Sequence, residues 1–90
     1  MTTAANTSWY LYMVLCADNT LYTGITTDVA RRLSEHNGDD RSGARYTRSR
    51  RPVVLVYSEQ LESRAAAARR EAAIKKLTRQ QKQALCHRSL

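Results

Sequence analysis

Between Leu21 and His36 a strand pattern runs straight into a helix pattern, and four residues suited to a phosphate site fall at that corner. Tyr22 and Gly24 occupy alternate strand positions and so share a face, while Arg32 and His36 stand one turn apart on the helix. The planar fork of an arginine grips a phosphate through two parallel hydrogen bonds, which a lysine would not reproduce. Two further groups of the right type lie elsewhere, Tyr12 in an earlier strand and Glu71 in a late helix. Glu71 is a hard oxygen ligand suited to one Mg²⁺ or Mn²⁺ ion, which would keep most of its waters because the sequence offers no obvious second carboxylate nearby.

Hydrolysis of a phosphodiester needs a deprotonated water in line with the leaving oxygen, and relief of charge on the phosphate oxygens. Three residues can serve as the base. The phenols of Tyr12 and Tyr22, ordinarily with a pKa of about 10, would need the metal or Arg32 close by. His36, ordinarily near 6.5, already titrates close to neutrality. Taken alone, each residue also has a plainer reading. Tyr12 could be core, Gly24 a bulge or a close helix approach, and His36 a complement to a helix dipole. Arg32 could simply pair with Glu35, and Glu71 with Lys75.

These groups must be delivered by several elements. Trp9 to Ala17 is apolar or aromatic throughout, which suits a central strand covered on both faces. Ala17-Asp18-Asn19-Thr20 supplies turn residues, and Leu21 to Ile25 returns as a second strand. Tyr12 and Tyr22 are an even number of positions apart, so they share a sheet face only across an odd loop. A three-residue bulged loop around Asp18 and Asn19 is therefore expected. Thr27 or Asp28 caps a helix from about Asp28 to His36. On it Val29, Leu33 and His36 point inward, Arg32 lies on the border, and Arg31 and Glu35 face water.

From Asn37 to Arg51 the chain has two glycines, five arginines and almost no apolar content, which predicts a long mobile loop. Arg41, Arg45, Arg48, Arg50 and Arg51 around Tyr46 suit phosphates and a stacked base. Pro52 to Tyr57 reads as the third strand, with Pro at its first position. Ser63 caps a helix from about Arg64 to Leu77, with Ala66, Ala73, Ile74 and Leu77 as its buried stripe and Ala67 at one edge. Arg70 falls within that stripe without an evident reason, and Glu71 sits just past its edge, half-buried. Thr78-Arg79-Gln80-Gln81 resembles a capping box that opens a final helix through about Cys86.

With 15 Lys+Arg against 8 Asp+Glu, a net charge of +7 and a pI near 10, the chain favours polyanions over neutral metabolites. Ninety residues make one domain, expected over residues 9–87 behind a flexible start at 1–8. No stretch approaches the roughly 18 apolar residues of a bilayer span, and the polar start lacks the regions of a signal peptide. A cytoplasmic protein without membrane contact is expected. Cys16 and Cys86 have no CxxC partner and are expected as reduced, buried thiols.

In order, Tyr10-Leu11-Tyr12, Tyr22-Thr23-Gly24, the helical Arg32 and His36, and the later helical Glu71 resemble the GIY-YIG nuclease domain, from Trp9 to about Leu85. The stretch from Leu21 to His36 is especially similar to small stand-alone bacterial members and to the catalytic subunit of structure-specific junction nucleases. The resemblance implies an α+β fold, a three-stranded antiparallel sheet flanked by helices, and cleavage of DNA with one divalent metal. It carries Tyr12 and Tyr22 onto the two motif tyrosines and Gly24 onto the family glycine. Arg32 matches the helical arginine, His36 a recurrent histidine and Glu71 the metal-binding glutamate. Tyr10, Leu11 and Thr23 depart from the motif spelling, and no asparagine follows Glu71 in its helix.

Two functions follow from different classes. One is a metal-dependent endonuclease acting on branched or damaged DNA in repair or recombination, with a protein partner able to supply specificity. The other is a basic module with the same fold that binds DNA or RNA and cleaves little or not at all.

Overall fold

The computed structural model describes residues 8–38 and 45–88. Among them, antiparallel strands β1 (Trp9–Leu15), β2 (Leu21–Thr26) and β3 (Val54–Leu61) form one sheet in the order β2-β1-β3. The helices are α1 (Val29–Gly38), α2 (Arg45–Arg48), α3 (Arg64–Lys75) and α4 (Arg79–Arg88). The apolar run of β1 makes it the central strand, its alternate side chains buried on opposite faces. Tyr12, Val14 and Cys16 pack with Val53, Tyr22, Val29 and Leu33 on the α1 side. Leu11 and Met13 pack with Ile74, Leu77 and Leu85 on the side of α3 and α4.

The β1–β2 hairpin closes as the spacing of the tyrosines requires. The Cys16 N–H donates to the Thr20 carbonyl at 2.8 Å and the Asn19 N–H to the Cys16 carbonyl at 2.9 Å, enclosing a three-residue loop at 17–19. Asn19 takes φ 69°, the left-handed conformation that closes such loops and that asparagine tolerates. Tyr12 then faces Gly24 and Val14 faces Tyr22 across the ladder, so both tyrosines point toward α1.

Of the two candidate caps of α1, Asp28 performs the role, its Oδ1 accepting the Arg31 N–H at 3.0 Å. The helix continues past His36 to Gly38. The Asn37 side-chain amide then bonds the Val53 backbone in both directions, at 2.7 and 2.9 Å. That pairing uses the Val53 N–H and carbonyl, and β3 starts one residue later, at Val54 rather than the expected Pro52. It also runs beyond Tyr57 to Leu61, through polar residues that an edge strand turns to solvent. A bulge at Val56 shifts its register against Met13 and Val14. The expected loop at 37–51 is corrected too, since it contains the end of α1 and the helical turn α2.

Ser63 caps α3 as expected, its Oγ accepting the Ala66 N–H at 3.1 Å. The helix stops at Lys75 and its buried side is rotated from the expected stripe. Ala67 and Ile74 are buried, Arg70 and Glu71 lie half-buried between them, and Ala73 is exposed. Arg70 has its explanation in β3, where its Nε donates to Glu59 Oε1 at 2.6 Å and the Tyr57 hydroxyl donates to the other Glu59 oxygen. A cation is tolerated there because a carboxylate meets it. The capping box of α4 forms reciprocally, Gln81 N–H to Thr78 Oγ1 at 3.2 Å and Thr78 N–H to Gln81 Oε1 at 2.9 Å. Both cysteines are free, Cys16 buried and Cys86 half-buried. No described helix is long and apolar enough to cross a membrane.

Candidate active site

Tyr12 comes from the centre of β1 and is only 2% exposed. Its hydroxyl lies 2.8 Å from His36 Nε2, and His36 Nδ1 lies 2.7 Å from Thr47 Oγ1. Burial pushes the Tyr12 phenol up to about 12, against the opposing effect of Arg32, which hydrogen-bonds it. Burial pushes His36 down to about 4, with the positive charge of Arg32 acting in the same direction. At neutral pH the pair is therefore a phenol and a neutral imidazole. A neutral imidazole donates through one ring nitrogen and accepts through the other, so it links the Tyr12 hydroxyl and Thr47 Oγ1 in one chain of hydrogen bonds. Thr47 was missed from sequence because a threonine in an arginine-rich loop carries no signal of its own.

Tyr22 lies outside this chain of bonds, half-buried and edge-on to His36 at 5.4 Å between ring centroids and 69° between planes. The two tyrosine rings are 6.5 Å apart. Arg32, from the border of α1, directs Nη1 to Glu35 Oε1 at 2.9 Å, and Arg31 approaches the other Glu35 oxygen at 3.7 Å. Glu35 thus braces both arginines rather than facing water alone. Glu71 is held on α3 by the packing of Ala67 and Ile74, and pairs with Lys75 at 3.1 Å. Its charge opposes ionisation of the Tyr12 phenol, so α3 carries it within electrostatic reach of Tyr12.

The arginines after α1 divide by surroundings. Arg41 lies outside the described residues, and of Arg45 only the backbone is described. Arg48 is exposed. Arg50 donates to Asp18 Oδ2 at 2.9 Å and to the Tyr46 carbonyl at 2.7 Å. Arg51 donates from Nε to the His36 carbonyl at 2.6 Å. Tyr46 is stacked with Tyr22, centroids 5.7 Å apart and planes at 26°. Arg50 and Arg51 therefore fasten the α2 segment to the hairpin and to α1.

Among the described residues no group of three or more His, Cys, Asp or Glu side chains is gathered to hold a metal ion.

Comparison with known proteins covers the stretch that carries these residues. The GIY-YIG catalytic domain model matches residues 8–84, a span containing Tyr12, Tyr22, Arg32, His36 and Glu71. A UPF0213 protein of Desulfotalea psychrophila is 58% identical over 78 residues, covering 87% of this chain and 70% of that protein. A UPF0213 protein of Staphylococcus haemolyticus is 55% identical over 73 residues, covering 81% and 87%. The solution NMR structure of a UPF0213 protein from Bacillus halodurans superposes with a TM-score of 0.54 at 41% identity, covering 87% of this chain and 81% of that one. That of a protein from E. faecalis gives 0.58 at 46%, covering 87% and 82%. With the family model matching most of the chain and the three-stranded antiparallel sheet and flanking helices in agreement, the chain belongs to the GIY-YIG catalytic domain family.

Proposed function

We propose that the protein is a divalent-metal-dependent endonuclease hydrolysing DNA phosphodiester bonds, acting on branched or damaged DNA in repair or recombination. The observation that carries this reading is the convergence of Tyr22, Arg32 and the charge of Glu71 about the buried Tyr12–His36–Thr47 chain. Arg32 would exchange Glu35 for the scissile phosphate, which its fork can grip through two oxygens. A hard divalent ion held by Glu71 would supply charge relief on the phosphate oxygens.

Among the three candidate bases, Tyr22 is favoured by access. Tyr12 and His36 are both buried and bonded to each other, the phenol raised to about 12 and the imidazole lowered to about 4. Neither is suited to taking a proton from a water on the substrate side near pH 7. Tyr22 is half-buried and meets the solvent beside them. The Tyr12–His36 pair then supports its ring. So small a domain has little surface for reading bases, which favours DNA structure over sequence and leaves further specificity to a protein partner.

The test is cleavage of duplex, single-stranded, flap and junction DNAs with Mg²⁺ or Mn²⁺, wild type against Glu71→Ala. Product from wild type alone supports the enzyme; equal product from both indicates a contaminating nuclease and sinks the reading. A second reading, binding of DNA or RNA without efficient cleavage, draws on the Arg32–Glu35 and Glu71–Lys75 pairs, which already satisfy the groups cleavage would use. Salt-sensitive binding with no product from wild type supports that alternative.

A further inference from the structure

We propose that Tyr46 is a positioning residue for Tyr22, locked by the Asp18–Arg50 ion pair, an assignment that rests on the nuclease reading above. Tyr22 stands on an edge strand, where the edge-on His36 and the tilted Tyr12 ring cover its inner side and leave its outer side to be held by something else. That outer wall is Tyr46, stacked at 5.7 Å and 26°. Tyr46 is in turn covered by the Arg50 guanidinium, 4.1 Å from its ring centroid, and Arg50 reaches Asp18 Oδ2 at 2.9 Å.

The spacing matches on both sides. Asp18 and Tyr22 are four residues apart on the hairpin, Tyr46 and Arg50 are four apart in the α2 segment, and the pairs meet as 18 with 50 and 22 with 46. The Ala17 N–H closes the same seam on the Arg50 carbonyl at 2.8 Å. Thr47, the residue after Tyr46, fixes His36 from the same turn. One helical turn thus sets both walls around Tyr22. Tyr46 keeps an exposed edge, 39% of the residue, so a stacking platform for a nucleobase is the rival role that the test must separate.

The test uses the full chain with ¹³C-labelled tyrosine. NMR without DNA or metal reads the Tyr22 ring resonances, which ring currents from Tyr46 and His36 displace. Tyr46→Ala moves them toward unstacked values and Tyr46→Phe keeps them. Asp18→Asn, which deletes no ring but weakens the ion pair holding Arg50 over Tyr46, lets Tyr46 move off Tyr22, shifts the resonances in the same direction and serves if Tyr46→Ala does not fold. With saturating junction DNA and Mg²⁺, Tyr46→Ala lowers the single-turnover rate about 10- to 100-fold, and affinity for the same DNA in EDTA is unchanged. Tyr22 resonances that stay put in both variants overturn the proposal. So does a loss of affinity as large as the loss of rate, which assigns Tyr46 to base stacking. If wild type does not cleave at all, the nuclease reading fails, and the ring shifts alone still decide whether Tyr46 holds Tyr22.

Discussion

The Tyr12 ring lies across Gly24, its cross-strand partner, so closely that a Cβ on Gly24 would stand 2.6 Å from the phenolic oxygen and 2.8 Å from Cζ. The missing side chain on β2 is what lets the ring reach His36. Gly24→Ala should push the ring off this path, breaking the Tyr12–His36 bond and costing about 1–3 kcal/mol of stability through overpacking. Urea denaturation and DNA cleavage check both effects together. A Gly24→Ala protein with wild-type stability and rate would mean that the ring can yield freely.

That close approach marks the boundary between what was legible in the sequence and what was not. Local rules sufficed for the odd hairpin loop, for Ser63 as a cap and for the Thr78–Gln81 box, because each depends on residues a few positions apart. Thr47 and the α2 turn escaped because their partners, His36 and Tyr22, are distant in sequence. The α3 stripe was misoriented because alanines dominate that helix and weigh its sides almost equally. What orients it is Arg70 meeting Glu59 on another strand. Gly24 was readable as a bulge or a close helix approach, whereas what approaches it is the Tyr12 ring of the neighbouring strand.

The buried pair should give stability a defined pH dependence. His36, lowered to about 4, refuses a proton that the unfolded chain accepts near its ordinary 6.5. Its contribution is therefore complete above about pH 6.5 and lost as pH falls through 4, on the order of 3 kcal/mol. Tyr12, raised to about 12, keeps a proton that the unfolded chain releases near 10, so stability also declines as pH rises from about 10 through 12. Urea midpoints measured across both windows should slope in these directions. His36→Gln should flatten the acid limb and Tyr12→Phe the alkaline one; unchanged slopes would contradict the assignment.

Arg32→Lys should separate charge from geometry. The lysine keeps the positive charge but cannot fork between a phosphate and its neighbours. The cleavage rate should fall about 10²- to 10³-fold while DNA affinity changes only a few-fold. Stability should stay within about 1 kcal/mol, since Arg31 remains beside Glu35. Single-turnover rates and anisotropy titrations measure the two quantities. A lysine variant that cleaves at the wild-type rate would show that the fork is not used.

Arg48 and Arg51 should respond in opposite ways, although both lie in the same basic segment. Arg48 is exposed on α2, whereas the Arg51 Nε donates at 2.6 Å to the His36 carbonyl. Arg48→Ala should weaken DNA binding, remove about one unit from the slope of log K against log salt, and leave the melting temperature unchanged. Arg51→Ala should instead cost about 1–3 kcal/mol of stability by taking a charged donor from a part-buried carbonyl. Its salt slope should stay close to that of wild type. Anisotropy titrations across a salt series, paired with thermal melts, read both properties on the same proteins. If Arg51→Ala loses salt slope and Arg48→Ala loses stability, the division of this segment into a DNA-facing cation and an internal fastener is reversed.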